Sequence, residues 1–256
     1  MKKNKDVAGL DEEGFASAQP APSGAVATRP EGGALMAQGT GRGMEDVDNE
    51  DLIIPRAKLL QPLSPELQEY PELRAGMIIN SLTKEVLPSE FSPVFYFKSF
   101  IRFNPRDKKM PGFDSNFEPG ALMWQTRDVN DPRVAEQCTF GPNGEHPLAL
   151  TTLNFFSLPI PNSGMPVIIS FSKTSYKAGK NLLSLAKLRG GDLFSRKYKL
   201  SVKQETNDKG TYYVLVVNPA GDCDQDMYKT GEQYFQQFGL KREALKTAPI
   251  DDAEVV

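Results

Sequence analysis

Two stretches of this chain place cations, one of them with aromatic rings, at spacings that suit a nucleic acid. From Val94 to Phe103 the residues divide by parity. Phe95, Phe97, Ser99, Ile101 and Phe103 share one face of an extended strand, and Val94, Tyr96, Lys98, Phe100 and Arg102 share the other, because successive side chains alternate. The first set is a core face. The second interleaves rings with cations; rings stack on bases and cations hold phosphates, as single strands require. The same alternation fits a central strand whose second face is half covered by a loop. Further on, Lys173, Lys177, Lys180, Ser184 and Lys187 follow at spacings of four, three, four and three, one side of a 3.6-residue helix. Ala178, Leu182, Leu185 and Ala186 take the opposite side, with Leu183 and Leu188 flanking. A charge run is commonly a plain solvated face. Here no Asp or Glu occurs from Lys173 to Gly191, so nothing local relieves the repulsion among the lysines, and an anionic partner is implied.

A later hairpin adds Lys197, Lys199 and Lys203 on one parity, opposite Tyr198, Leu200 and Val202. Arg196 shares the inward parity at the strand end, where it can turn outward. Tyr212 and Tyr213 open the return strand on opposite faces, and Arg106, Lys108 and Lys109 form a basic loop. The expected nucleic-acid-binding set is therefore Tyr96, Lys98, Phe100, Arg102, Lys173, Lys177, Lys180, Lys187, Arg196, Lys197, Lys199 and Tyr212.

Catalytic constellations are poor by comparison. His146 is the one histidine, and Cys138 lies eight residues before it; a lone pair of this kind does not define a nucleophile and its base. Zinc normally needs four ligands in paired spacings, which the chain lacks. No phosphate-cradling glycine loop precedes a Lys-Ser or Lys-Thr. Asp222, Asp224 and Asp226 alternate, but without the Gly and Glu of a calcium loop. Trp124 reads as a core or loop anchor. Neither enzymatic activity nor a cofactor or metal is expected.

The elements that position these residues are mostly strands. Met77–Asn80, Leu82–Leu87, Ser92–Phe103, Leu122–Trp124, Leu150–Leu158, Met165–Phe171, Arg196–Gln204 and Thr211–Asn218 read as extended. The clearest helix runs from Ser175 to Leu188 and stops at Gly190-Gly191. Shorter helical turns are expected at Ser64–Gln68, Asp131–Ala135 and Tyr228–Phe238. Strands, a helix and then a hairpin give a mainly β fold. The order suits a small Greek-key β-barrel of the oligonucleotide-binding (OB-fold-like) type, with its helix between the third and fourth strands; a sandwich or another small barrel also fits.

Charge is unevenly spread over the 256 residues, whose net is -3. Residues 1–51 carry 5 basic and 10 acidic groups, 173–209 carry 10 and 3, and 222–256 carry 4 and 8. Residues 1–51, rich in Gly, Ala and Pro, lack the apolar surface to offset the entropy of ordering. The expected organisation is a disordered acidic segment over 1–51, a binding domain over 52–240, and a flexible acidic tail over 241–256. Lys2, Lys3 and Lys5 are not followed by an apolar run, no stretch is long enough to span a membrane, and two isolated cysteines suggest no oxidising compartment. A cytoplasmic location is expected.

The segment Ile54-Pro55-Arg56-Ala57-Lys58-Leu59-Leu60-Gln61, with Ser64-Pro65-Glu66 and Ala75-Gly76-Met77-Ile78, resembles proteins encoded in phage replication and recombination regions. The Ser172-Lys173-Thr174-Ser175 helix start and the hairpin from Phe194 to Val217 resemble the same group. The resemblance covers residues 52 to 220, and the group includes single-stranded-DNA-binding proteins with an oligonucleotide-binding fold. It implies a phage protein that coats single-stranded DNA without sequence preference during replication or recombination; the alternative is a phage virion or assembly protein. Some relatives carry paired cysteines where this chain has only Cys138. The end Asp251-Asp252-Ala253-Glu254-Val255-Val256 resembles the acidic tails through which such proteins recruit replication or recombination partners, without their terminal ring. No membrane partner is expected, and a homo-oligomer is left open.

Overall fold

The computed structural model describes residues 43, 46, 51–161, 165–208, 210–241 and 245–248. The expected disordered segment over 1–51, apart from residues 43, 46 and 51, and the acidic end over 249–256 lie outside them.

Strand β1 is Ile53–Ile54 and β2 is Arg56–Leu59, followed by helix α1, Glu66–Glu69, and strand β3, Ile78–Asn80. Strand β4, Glu90–Phe103, strand β5, Leu122–Thr126, and helix α2, Pro132–Gln137, come next. Strands β6, Leu150–Ile160, and β7, Val167–Phe171, lead into helix α3, Tyr176–Arg189. The hairpin β8, Arg196–Asn207, and β9, Gly210–Asp222, is followed by helix α4, Gln225–Tyr234, and a short strand β10, Lys246–Thr247.

The protein is mainly β, as the pattern implies, and α3 stands between strands where the helix was expected. Eight strands form one sheet in the order β3-β2-β7-β6-β4-β8-β9, with β5 on the edge of β4. The expected five-stranded closed barrel is not formed. β8 pairs with β4 only at Glu90↔Lys199 and Phe91↔Tyr198, and β9 does not pair with β3, the opposite edge of the sheet, among the described residues. A side chain bridges that gap instead. Gln61 Nε2 donates to Tyr213 O, and Tyr213 N donates to Gln61 Oε1, both at 2.9 Å. One amide thus does the work of a strand residue.

The core is divided by the sheet. On one face Phe95 and Phe97 of β4 pack with Phe156 and Ile168 under Tyr234 and Phe238, from α4 and the turn of π-helix that extends it. On the other, Leu153, Phe155 and Phe171 pack with Leu182 of α3 and with Tyr198, Leu200, Leu215 and Val217 of the hairpin. A bulge at Val94 sets this partition. Pro93 pairs with Ser157 but Phe95 pairs with Phe156, so one extra residue moves the parity by a step. Phe91 therefore packs against the hairpin while Val94 and Phe95 both face α4.

Helix α3 lies close to the sheet because Gly179 has no side chain. A Cβ there would stand 2.7 Å from Phe171 Cβ and 3.0 Å from Leu153 Cδ1. The helix ends at Gly190 and Gly191, whose φ values of 70° and 81° suit residues without a Cβ.

Three expectations are corrected. Leu82–Leu87 contributes only a single bridge, Ile79↔Val86. The stretch from Ile53 to Leu59, not among the expected strands, forms two short ones on either side of Pro55. The tail expected to be flexible from 241 is held at 245–248: Leu245 is buried and β10 pairs in parallel with β1.

Candidate nucleic-acid interface

The platform expected on β4 is largely covered. Phe97 is 8% exposed and Phe100 only 4%, so β4 is a central strand with apolar cover on both sides. Phe100 is buried core, and its ring is not on offer to a base. Arg102 donates to Gln137 Oε1 and to Gly112 O, each at 2.8 Å, and so ties down the loop that follows β4. Trp124 Nε1 donates to the same Gln137 Oε1. Tyr96 packs on Phe155 with its hydroxyl buried and without a hydrogen-bond partner. Burial, with Tyr176 nearby, pushes that phenol up to about 12. Of the four, only Lys98 is exposed. The rings on this parity belong to the packed interior, and Arg102 serves as an anchor for the loop that follows.

The face on α3 survives intact. Lys173, in a tight 3-10 turn before the helix, and Lys177, Lys180, Ser184 and Lys187 along it are all exposed, while Leu182 is buried. Among the described residues Lys177, Lys180 and Lys187 form no ion pair, and the helix itself contains no acid. A pocket opens at the start of the helix, lined by Lys173, Thr174, Ser172 and Thr152, with Phe103 and Tyr213 half-buried beside them. Lys173 has φ of 43°, a left-handed backbone that costs a non-glycine residue roughly 1–3 kcal/mol. Ser175 Oγ accepts from Leu215 N at 3.0 Å, which pins this turn to β9.

Beneath the pocket lies a polar network. Arg56, 2% exposed, donates to Asn154 Oδ1 at 3.2 Å, to Ser170 Oγ, to Thr247 Oγ1 at 2.9 Å and to Ala248 O at 2.6 Å. Ser170 also lines the pocket. Of the pocket residues, Thr152 and Ser170 were not singled out in the sequence. The run of hydroxyls at Ser170, Ser172, Thr174 and Ser175 is the signal that would have found it.

The hairpin cations do not join this face. Tyr198 and Leu200 pack inward in the same core as Leu182 of α3, so Lys197, Lys199 and Lys203, on the other parity, project from the far side of the hairpin. Several are already engaged. Arg196 Nη1 bonds Asp222 Oδ1 at 2.7 Å, Lys197 stands 3.9 Å from Glu90, and Lys203 3.0 Å from Glu205. Tyr212 donates to Glu205 Oε2 at 3.1 Å, a bond that raises its phenol pKa. Lys199 is exposed. The twelve expected residues thus fall into separate groups, and the group on α3 is the coherent one.

Cys138 and Cys223 are free. Burial pushes the Cys138 thiol up, against a weaker opposing hydrogen bond with Thr151; an activated nucleophile shifts the other way. His146 lies beside Phe140. Among the described residues no group of three His, Cys, Asp or Glu is placed to hold a metal ion, and no helix is long and apolar enough to cross a membrane.

Fold and surface together define a mainly β domain with a basic helix laid across its sheet. A family model described as Pam3 phage gp34-like protein matches residues 27–243, and the chain belongs to that phage protein family. No curated protein and no solved structure matches it.

Proposed function

We propose that this phage protein binds single-stranded DNA without sequence preference, in replication or recombination within the host cytoplasm, and is not an enzyme. The observation that carries the reading is the face of α3. Lys177, Lys180 and Lys187 are exposed, make no ion pair among the described residues, and stand on a helix without an acid. Cations held apart from carboxylates in this way suit a row of phosphates. Lys173 continues the row to the pocket, where Phe103 and Tyr213 take the stacking role that the buried Phe100 cannot. Base stacking is tolerant of sequence and requires unpaired bases. The resemblance to phage single-stranded-DNA-binding proteins supports the same reading, with the acidic tail beyond residue 248 as the contact for replication or recombination partners.

A role in the virion or its assembly is equally compatible with a phage family; the uncompensated lysine face is what favours DNA. The deciding experiment is a gel-shift comparison of single-stranded DNA, duplex DNA and RNA at two salt concentrations. Retention of single-stranded DNA that weakens steeply with salt is expected. Failure to retain any of the three at low salt, or growth into large assemblies without nucleic acid, would reject the reading.

A further inference from the structure

We propose that two copies of this chain associate by a reciprocal contact, in which the end of α3 of each enters a groove beside α4 of the other. The end of α3 reads Lys187-Leu188-Arg189, and Leu188 is 87% exposed. The helical pattern sets the leucines toward the sheet, yet this one overhangs its edge with a cation on each side. A single exposed leucine is ordinary on a protein surface. What distinguishes Leu188 is a matching groove nearby.

That groove, of about 360 Å³, opens between the bulged part of β4, the turn at 193–195 and α4. Phe95, Leu193, Phe194 and Phe235 line it, and Asp192 and Glu232 supply its carboxylates. It lies where the edge of β4 away from β6 has no partner strand: among the described residues β8 pairs only as far as Phe91 and β5 only from Phe100. Tyr228 donates to Asp192 Oδ2 at 2.6 Å and fixes that carboxylate. Glu232 forms no ion pair among the described residues. An apolar groove with two carboxylates complements a leucine between two cations in both shape and charge.

Leu188 does not fill the groove of its own copy, since it is exposed. Only Gly190 and Gly191 separate Arg189 from Asp192, so projection and groove are neighbours along the chain. A reciprocal contact, in which each copy gives one projection and receives one, closes as a two-fold pair. Lys177 and Lys180 stay outside the contact, Lys187 is shared between it and the proposed phosphate row, and the contact is tested without nucleic acid.

The test is sedimentation velocity on the full chain without nucleic acid, from micromolar to sub-millimolar concentration. A monomer–dimer equilibrium is expected, as suits a small interface. Leu188→Asp removes no burial within the monomer and should weaken dimerisation on the order of tenfold or more. Glu232→Lys should weaken it too, and adding Arg189→Glu should restore it, because the charges are exchanged across the interface. A wild type that is monomeric at every concentration would overturn the proposal and leave the groove to a different occupant. An undiminished dimer in Leu188→Asp, or species that keep growing beyond two, would overturn it as well.

Discussion

Replacing Lys177 and Lys180 together with Gln tests the DNA-binding face without disturbing the fold. Both side chains are exposed and unpaired among the described residues. Gln and Lys have similar helix propensity, and loss of like-charge repulsion returns at most about 0.5 kcal/mol. Thermal stability should therefore stay level or rise slightly. Binding should change in a defined way. Each phosphate contact on a single strand contributes roughly 0.7 to the log–log slope of affinity against salt, so the double variant should flatten it by about 1.4. Between about 50 and 200 mM salt the wild type should then lose about sevenfold more affinity than the variant. Fluorescence anisotropy with a labelled oligonucleotide across that range measures the slope directly. A folded variant with the wild-type slope would refute the assignment of α3, whatever its affinity at one salt concentration.

Phe100→Ala should cost about 3–5 kcal/mol of stability, as for a buried ring, and leave the salt slope of the folded fraction unchanged; a loss of binding without loss of stability would return the ring to the interface. Gly179→Ala gains about 1 kcal/mol of helix propensity but drives a methyl into Phe171 and Leu153, an overpacking cost of about 1–3 kcal/mol. Denaturant melts should show a net loss, and a stabilised variant would contradict the close approach of α3. Glu66 is buried 3.0 Å from Lys58 and 3.6 Å from Lys84. Burial raises its pKa, but the Lys58 hydrogen bond, a backbone hydrogen bond and both lysine charges outweigh that and bring it below the ordinary 4.5. Its contribution is complete above that value and is lost as pH falls through the lowered one. Melts at falling pH should show this acid limb, and Glu66→Gln should lack it.

Helix α3 was legible because its cues are local: four lysines and Ser184 at alternating spacings of four and three, leucines opposite, and two glycines to stop it. The observed Tyr176–Arg189 differs from the expected span by one residue at each end. Strand β4 was legible as a strand for the same reason. Its second face was not, because Tyr96 is covered by the cluster under α3 and the hairpin and Arg102 is held by Gly112 and Gln137, all distant in sequence, and such cover leaves no periodicity in the strand itself. The pocket at Lys173 draws on β4, β6, β7 and β9 at once, and a left-handed Lys173 carries no mark in the chain. The open barrel turns on one side chain, Gln61, reaching Tyr213 across 152 residues. Two-residue strands such as β1 and β10 are too short for any pattern to register.

The guanidinium of Arg56 has a consequence for how the protein is made. It enters the sheet early in the chain, yet two of its acceptors, Thr247 and Ala248, lie 191 and 192 residues downstream. During synthesis every strand of the main sheet is made before those acceptors exist. A buried cation short of its hydrogen bonds is strongly destabilising, so a nascent sheet must keep the neighbourhood of Arg56 open to water until the last turn of chain arrives. Translation that stalls after α4 would release a product with every strand of the main sheet but without Leu245, Thr247 and Ala248, and so with the site around Arg56 left open. Such a product would differ from the finished one at Arg56 and at Ile54, which shares its cluster with Leu245.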